Sequence, residues 1–405
     1  MSSGFLNISF NNLENKEAVN SITYRNKPFI NSELFLTTIE SGKLLTLGKD
    51  VKTVYQLKIS RKNINYNFLP GDTIAILPKN NEDEVKELLL KLNCQADSLK
   101  CYELKIINNT TKKNPAIPKH IPIKGTLYST FINNIDIRTP PKKLFLKQLI
   151  QYTKDKNEKE LLEKICSPSG SKEYLKLITT HTSLLSLFKA FPSCIPPIEL
   201  ILEYSLPLQP RYYSIASSPL DESVISIIFY VLQHENGLKG VCTGWLEKII
   251  TENNIKQSQI PFYFRKSSDF RFDVLPNPSI LIATGTGIAP FFAFLQHKKL
   301  SKNDEINNYV LDGTLEKIYS AFSRESSEKV YIQYRIMEHG KEILDLLLNK
   351  DATIYVCGDA TTTVKSVKET IIHCLINNKN MDKTQAEETL ANLIKDKKYL
   401  VDSWM

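Results

Sequence analysis

The sequence predicts an antiparallel β-barrel that is interrupted by a helical insertion and followed by a doubly wound parallel α/β domain. Strand patterns, one of them clearly alternating between apolar and polar residues, occupy 34–77 and return at residue 211. Between them, apolar residues recur at helical spacing through much of 81–204. After residue 276 the pattern changes to strand, glycine turn and helix. Together these three patterns predict a mixed fold with two kinds of sheet.

Each element follows from a local pattern. The barrel contains an alternating strand at 53–59 and a Pro-Gly turn with a second strand at 68–77. Helices of the insertion are predicted at 84–92, 144–152, 158–166 and 173–188. The α/β domain has predicted strands at 279–283, 329–333 and 353–357 and helices at 290–299 and 363–378. These patterns divide the chain into a polar N-terminal segment (1–33), a barrel (34–274) with an insertion at about 81–204, and an α/β domain (275–405).

Composition excludes several classes of protein. The chain has 405 residues, 42% of them hydrophobic, and a formal net charge of +8 whose lysines are scattered, so a solvated basic surface is favoured over nucleic-acid binding. Its seven cysteines form neither a CxxC nor a Cys/His zinc pattern, which predicts reduced thiols and no metal site. No signal peptide precedes the first strand, and the uncharged run at 279–296 has glycines and a proline at its centre. We therefore expect a cytoplasmic protein without a membrane span.

The first candidate motif is Arg211-Tyr212-Tyr213-Ser214 at the start of a strand. A guanidinium there can pair in bidentate fashion with a pyrophosphate. The aromatic ring two residues later points to the same side of the strand and can cover the flat face of a flavin. By itself, however, this tetrapeptide is equally consistent with an ordinary strand that begins with an exposed arginine.

Two glycine-containing segments each open a predicted helix. Gly240-Val241-Cys242-Thr243 offers backbone N–H groups and a hydroxyl to an anion, although a plain helix N-cap explains it as well. The turn at 283–290, which contains Thr286, directly follows an apolar strand. Its glycines permit a tight turn and a close approach of a diphosphate to the start of the helix.

Polar groups near three further segments complete the candidate site. Ser323, Arg324, Lys329, Tyr331 and Gln333 together suit a phosphomonoester, but alone they fit a charged loop better. Cys357 and Asp359 end a buried strand, where ligands of parallel sheets bind, although a cysteine there is more often a small core residue. Asp402 and Trp404 lie almost at the end of the chain, where a tryptophan without a core partner is expected to dock on a flat group.

In order and spacing these motifs resemble the FAD/NADPH half of the diflavin reductases, over residues from about 35 to 405. Within that family the similarity is greatest to the methionine synthase reductases, at 240–246, 294–297 and 389–404. The resemblance implies a flavoprotein that binds FAD and NADPH. By the same resemblance, the protein is expected to pass a hydride from NADPH to FAD and then single electrons to a protein acceptor, either a flavodoxin-like FMN protein or methionine synthase.

The resemblance also implies roles for individual residues. Ser214, Cys357, Asp402 and Trp404 are the expected catalytic residues, with Trp404 stacked on the flavin until the nicotinamide displaces it. FAD is expected to contact Lys43, Arg211, Tyr212, Tyr213, Ser214, Gly240, Val241, Cys242, Thr243 and Trp404. NADPH is expected to contact Arg265, Thr286, Ser323, Arg324, Lys329, Tyr331, Ile332, Gln333 and Asp359.

The sequence departs from the family pattern in several places. A flavodoxin-like domain does not precede the barrel, so we expect no FMN on this chain, and the α/β domain is expected to be shorter by one strand–helix unit. Ala283-Thr284 replaces Gly-Pro, threonines fill 361–363, and Ser366 replaces a carboxylate. These departures leave open an alternative, in which the chain binds FAD but cannot use NADPH and serves as a partner module or is a truncated remnant.

Overall fold

The computed structural model describes residues 4–14, 32–48, 51–234, 237–252, 255–267, 269–272, 278–301, 313–322 and 329–404. The chain forms two compact units. The first comprises Met1–Ile30, Leu77–Arg211 and Gln233–Leu246, and the second comprises Asn31–Ile76, Tyr212–Leu232 and Glu247–Met405. In the part that the structure describes, no helix has the length and apolar character needed to cross a membrane.

The first unit contains small sheets that the sequence analysis did not predict. Its strands are β1 (Leu6–Glu14), β5 (Lys100–Ile106), β6 (Lys124–Thr126), β7 (Ile135–Asp136) and β8 (Leu206–Pro207), arranged as β1-β5-β6 and β7-β8. Strand β1 falls in the segment that was predicted to be merely polar. Leu6, Ile8 and Phe10 alternate with polar residues, and they pack on the core of this unit, so a period of two was present in the sequence.

Helices surround these sheets and supply most of the core of the first unit. They are α1 (Glu82–Lys91), α2 (Leu127–Asn133), α3 (Lys143–Leu149), α4 (Lys156–Cys166), α5 (Ser171–Thr179), α6 (Leu184–Ala190) and α7 (Ile198–Tyr204). The single helix expected at 173–188 is two helices. The break lies at His181, whose φ is +49°, and Ser183 then caps α6 by accepting a hydrogen bond from the backbone N–H of Ser186.

A six-stranded antiparallel sheet forms one part of the second unit. Its strands are β2 (Phe35–Leu44), β3 (Val54–Ser60), β4 (Thr73–Ile76), β9 (Arg211–Ser214), β10 (Val224–Tyr230) and β11 (Gln259–Arg265), in the order β10-β3-β2-β11-β4-β9. Its two outer strands are not joined by a ladder. They approach each other through an isolated bridge between Ile215 and Ile227. The sheet therefore curls but does not close into the continuous barrel that was expected.

The other part of the second unit is a parallel sheet. Within the described residues it has the order β12 (Ser279–Ala283), β13 (Thr353–Asp359) and β14 (Tyr399–Trp404). The associated helices are α9 (Ala289–Ser301), α10 (Ile332–Glu338), α11 (Gly340–Asn349), α12 (Lys365–Lys379) and α13 (Lys383–Lys395), while α8 (Val241–Thr251) begins in the first unit. The prediction of a mixed fold with antiparallel and parallel sheets is therefore confirmed.

The prediction of a strand at 329–333 is wrong. Residues 329–331 have no regular structure, and α10 begins at Ile332. Ile332 and Ile336 are four residues apart, and both pack on the core between α10 and its neighbouring helices. The helical spacing of these two side chains outweighs the short alternation of Val330 and Ile332 that suggested a strand.

Candidate active site

Ser214, Cys357 and Asp402 come together although they lie on three different strands. Ser214 ends β9, while Cys357 and Asp402 are paired neighbours on β13 and β14. The hydroxyl of Ser214 donates a hydrogen bond of 2.8 Å to Oδ2 of Asp402. The same carboxylate oxygen lies 3.8 Å from Sγ of Cys357. The sequence analysis named all three residues, and the structure places them in one cluster.

The environment of Cys357 keeps its sulfur protonated. Its side chain is fully buried, and burial raises the pKa of the thiol, with the negative charge of Asp402 raising the pKa further. A thiolate beside a carboxylate in a dry setting would be strongly disfavoured. Cys357 therefore acts here as a neutral S–H group that faces Asp402.

Gly287 and Trp404 lie beside this cluster. A Cβ atom on Gly287 would overlap the carbonyl oxygen of Cys357 and would stand 3.2 Å from Cη2 of Trp404. Only glycine lets the turn that precedes α9 approach β13 so closely. Trp404 is half-buried and packs on a cluster that includes Cys357, so the ring of Trp404 lies next to the carboxyl end of the parallel sheet.

A second set of predicted residues lies on the six-stranded sheet. The guanidinium of Arg265 stands 4.8 Å from the ring centroid of Tyr212, and the hydroxyl of Tyr212 lies 3.2 Å from that of the buried Tyr263. Tyr213 is half-buried, with its ring edge-on to Phe229 at a centroid distance of 6.2 Å. Tyr212 and Arg265 thus present an aromatic and cationic surface on one face of the sheet. Tyr213, the next residue of the strand, points to the opposite face.

The other residues expected at FAD lie on separate elements. Lys43 is exposed on β2, and Arg211 begins β9, where its guanidinium donates to the carbonyl oxygen of Gln209 at 2.5 Å. Gly240 directly precedes α8, which begins at Val241. Cys242 is buried and Thr243 is half-buried in the first turn of that helix. The helix start predicted for this glycine segment is therefore present.

The residues expected at the 2′-phosphate are only partly described. Ser323 and Arg324 lie outside the described residues, while Lys329 and Tyr331 are exposed. Ile332, also expected at NADPH, instead packs on the core of the α/β part. We conclude that Ile332 holds α10 in place and that the exposed side chains beside it are the ones available to a ligand.

Gln333 is fixed by the serine that replaces the carboxylate of the family. Its Nε2 donates to Oγ of Ser366 at 2.5 Å, and that hydroxyl donates in turn to the carbonyl oxygen of Thr363 at 3.0 Å. Because the single proton of Ser366 is used in this way, its Oγ must accept from Gln333. The amide is therefore oriented with Nε2 toward α12.

The side chain of Asp359 accepts hydrogen bonds from the turn that directly follows its own strand, β13. Its Oδ1 accepts from the backbone N–H and hydroxyl groups of both Thr361 and Thr362, at distances of 2.7 to 3.0 Å. These hydrogen bonds lower the pKa of Asp359 to about 2. The carboxylate thus caps a turn of π-helix at Ala360–Val364, a local structure that is common at functional sites.

Two departures from the family pattern contact each other. The hydroxyls of Thr284 and Thr363 are 2.7 Å apart and join the turn that follows β12 to the π-helical turn that follows β13. A Cβ atom on Gly358 would lie 2.8 Å from Cγ2 of Thr363 and 2.9 Å from Oγ1 of Thr284. Neither threonine was proposed as a partner of the other, because nothing in their local sequence links positions 79 residues apart.

Comparison with known proteins assigns the chain to a family. The sequence model of the family described as "FAD binding domain" matches residues 27–245. Since that match covers more than half of its length, the chain belongs to this family of FAD-binding domains. Among curated proteins, methionine synthase reductase of Homo sapiens is 32% identical over an alignment 425 positions long, which covers 92% of this chain and 61% of the human protein.

Related reductases give similar matches. Methionine synthase reductase of Rattus norvegicus is 30% identical over 92% of this chain and 61% of its own length. NADPH–cytochrome P450 reductase of Cavia porcellus is 29% identical over 94% of this chain and 60% of its own length. These matches confirm the resemblance to the diflavin reductases, and the chain spans about three fifths of the length of the curated relatives that it matches.

Proposed function

We propose that the chain is a flavoprotein reductase that takes a hydride from NADPH onto FAD and delivers electrons singly to a protein acceptor. The observation that carries the proposal is the cluster of Ser214, Cys357 and Asp402. It gathers a hydroxyl, a thiol and a carboxylate at the carboxyl end of a parallel sheet, where ligands of such sheets bind. The matched family and the names of the relatives support the same function.

The residues present suit a flavin dinucleotide. In the first unit, Arg211 and the start of α8 at Gly240–Thr243 suit a pyrophosphate, because guanidinium groups and helix N-termini both favour phosphate oxygens. In the second unit, Tyr213 and Trp404 are the aromatic side chains that would cover a flat ring system, and Lys43 would add a basic contact. When bound, FAD supplies the ability to accept two electrons at once and release them one at a time.

Ser214, Cys357 and Asp402 have distinct tasks in this scheme. The carboxylate of Asp402 accepts from Ser214 and so fixes the direction of the serine hydroxyl. A carboxylate near the nicotinamide also favours the positive charge that develops on that ring as the hydride leaves. Cys357 keeps its proton and fills the space beside Asp402 without adding a charge. Trp404 excludes water until the nicotinamide takes its place.

NADPH would lie across the carboxyl ends of the parallel strands. The turn at Gly285–Ile288, with Thr286, would receive its diphosphate, and Arg265 would add a cationic contact. Ser323, Arg324, Lys329, Tyr331 and Gln333 would distinguish the 2′-phosphate from a free hydroxyl. Asp359 would act through the π-helical turn that it caps.

The proposal extends to the domain boundaries and to the electron acceptor. We propose an FAD-binding domain at 34–274 with a helical connecting insertion, and an NADPH-binding domain at 275–405 with a compact parallel sheet. The electron acceptor would be a flavodoxin-like FMN protein or methionine synthase, because the chain is similar to methionine synthase reductases. The basic net charge of +8 suits an acidic partner surface.

The test is the flavin content and reducibility of the purified full chain. We expect one FAD released per chain on heating and bleaching of the visible flavin band when NADPH is added without oxygen. Protein that carries no flavin after incubation with FAD would refute the proposal. Bound FAD that NADPH does not bleach would instead favour the alternative, in which the chain binds FAD without using NADPH.

A further inference from the structure

Helix α9 and the loop that follows β9 share a partly buried polar cluster that the proposed chemistry does not use. The backbone N–H of Ser218 donates to Oε1 of Gln296 at 2.7 Å, and Oγ of Ser218 lies 2.9 Å from Nδ1 of His297. Ser218 is fully buried. Two consecutive residues of one helix therefore bind one residue of the loop, through both its backbone and its side chain.

The hydrogen bonds of this cluster have defined directions. The backbone N–H of Leu220 donates to Oγ of Ser218 at 3.0 Å, which leaves the hydroxyl proton of Ser218 for His297. Burial lowers the pKa of His297, so its ring is neutral near pH 7 and Nδ1 accepts that proton. Nε2 of Gln296 donates to Oδ2 of Asp221 at 3.3 Å, which fixes the orientation of the amide.

Residues on and next to the six-stranded sheet also hold the loop, from its other side. The guanidinium of Arg61 donates to the carbonyl oxygens of Pro219 and, at 2.9 Å, Asp221. Oγ of Ser217 accepts from the backbone N–H of Ser226 at 3.0 Å. Ala216, Ile228 and Ala289 form a small buried apolar cluster nearby. The loop is therefore bonded both to the side of the six-stranded sheet and to helix α9.

Both ends of this connection lead to the candidate active site. Ser218 follows Ser214 by four residues, and Ala289, the first residue of α9, directly follows the turn at Gly285–Ile288. Gln296 and His297 lie two turns along that helix, so they are remote from the turn but belong to the helix that continues it. The cluster thus ties the strand that carries Ser214 to the helix that carries the glycine turn.

We propose that Gln296 and His297 are positioning residues that set the distance between Ser214 and the glycine turn, and with it the approach of the nicotinamide to the flavin. This inference rests on the proposed function. A displacement of about 1 Å between reacting groups can cost a hundredfold in rate, so a fixed connection is required for efficient hydride transfer. Neither residue touches the reacting atoms in this scheme.

The test compares three single variants of the full chain loaded with FAD. Gln296→Leu removes both hydrogen bonds of the amide, and His297→Phe removes the acceptor for Ser218. His297→Asn can restore an acceptor close to the position of Nδ1. Lys298→Met is the matched control on the same helix, because Lys298 donates its hydrogen bond to the carbonyl oxygen of Thr314, which lies outside the loop.

Two measurements are made on each variant. Amide hydrogen exchange at Ser218 reports the connection without any turnover, and we expect exchange to be at least about tenfold faster in Gln296→Leu. Rapid mixing with NADPH and with NADPH deuterated at the transferred position reports the hydride step. We expect that step to slow about tenfold in Gln296→Leu and His297→Phe, with FAD content and the Kd of NADP⁺ changed less than about twofold.

The outcomes separate this inference from the proposed function. Recovery of most of the rate in His297→Asn, with wild-type behaviour of Lys298→Met, supports positioning. Faster exchange at Ser218 with an unchanged hydride rate overturns it, as does equal loss of rate in the Phe and Asn variants. If NADPH does not reduce the wild-type flavin, the proposed function fails. Independently of that result, unchanged amide exchange at Ser218 in Gln296→Leu would show that the amide of Gln296 does not hold the loop.

Discussion

Ser214 donates a hydrogen bond of 2.8 Å to Oδ2 of Asp402, which joins the last residue of a strand in the six-stranded sheet to the final strand of the parallel sheet. The two residues are 188 positions apart in sequence. The bond connects the part of the chain expected to hold the flavin with the part expected to hold the nicotinamide. Its geometry also makes the direction of the serine hydroxyl depend on the carboxylate.

Replacement of Ser214 by Ala removes the donor and leaves Asp402 without that partner. We expect FAD to remain bound, because other residues hold it, and flavin reduction by NADPH to slow by about ten- to a hundredfold. Ser403→Ala is the matched control, since Ser403 is an exposed neighbour of Asp402. Rapid-mixing absorbance measures both variants, and equal rates for Ser214→Ala and wild type would contradict the assignment.

Replacement of Gly287 by Ala tests the close approach of the glycine turn to β13. The new Cβ would overlap the carbonyl oxygen of Cys357, so the turn must shift, at a cost of about 1–3 kcal/mol in the free energy of unfolding. We expect the KM for NADPH to rise with FAD content unchanged.

Gly313→Asn is the control for that variant. Gly313 lies outside the turn, has φ of +73° and has open space around it, and asparagine tolerates that conformation better than other residues. Chemical unfolding and steady-state kinetics are measured on both variants. A Gly287→Ala protein as stable as Gly313→Asn, with an unchanged KM, would show that the close approach has no consequence.

The hydrogen bond between Thr284 and Thr363 is suited to a double-mutant cycle. Thr→Val keeps the shape of the side chain and removes the hydroxyl, so each single variant leaves one hydroxyl without its partner. We expect each single change to cost about 1–2 kcal/mol and the double change to cost less than the sum, with a coupling of about 0.5–1.5 kcal/mol. Additive losses in urea unfolding would mean that the two hydroxyls act independently.

The local sequence pattern predicted the strand, the glycine turn and the helix at 279–301 well. The apolar run, the glycines and the proline that mark these elements all lie within about twenty residues. The grouping of Ser214, Cys357 and Asp402 came from the family resemblance, which rests on the order of their motifs. Strand β1 was missed although Leu6, Ile8 and Phe10 alternate, since polar residues dominate the segment around them. The strand expected at 329–333 failed because burial of Ile336 favours a helix.

Contacts between distant segments could not be predicted in the same way. The partners of Ser218 lie 78 and 79 residues away, and Gln296 and His297 were noticed only as part of a resemblance. The link between Gln333 and Ser366 likewise depends on how α10 packs near α12. Such pairs are set by tertiary packing, for which one sequence carries no local periodic signal.

The first unit should lose stability in mild acid through His120. This side chain is buried, its Nε2 has no hydrogen-bonding partner in the described part of the chain, and burial lowers its pKa to about 4. Stability from the neutral ring is present above the unfolded pKa of about 6.5 and is lost as pH falls toward 4.

We therefore expect the free energy of unfolding to fall between pH 7 and pH 5 by roughly 2 kcal/mol more in wild type than in His120→Gln. His373→Gln is the control, because His373 is exposed on α12. Urea unfolding of the first unit, followed across this pH range, makes the comparison. Identical pH profiles for wild type and His120→Gln would contradict the effect of burial.

The most direct test of hydride transfer at the Ser214–Asp402 pair is anaerobic rapid mixing of the FAD-loaded chain with NADPH, for wild type and Asp402→Asn. We expect wild type to bleach in a single fast phase that slows with NADPH deuterated at the transferred position. We expect Asp402→Asn to bind the same amount of FAD and to bleach about a hundredfold more slowly. Equal rates in the two proteins, or a wild-type flavin that NADPH leaves oxidised, would contradict the assignment.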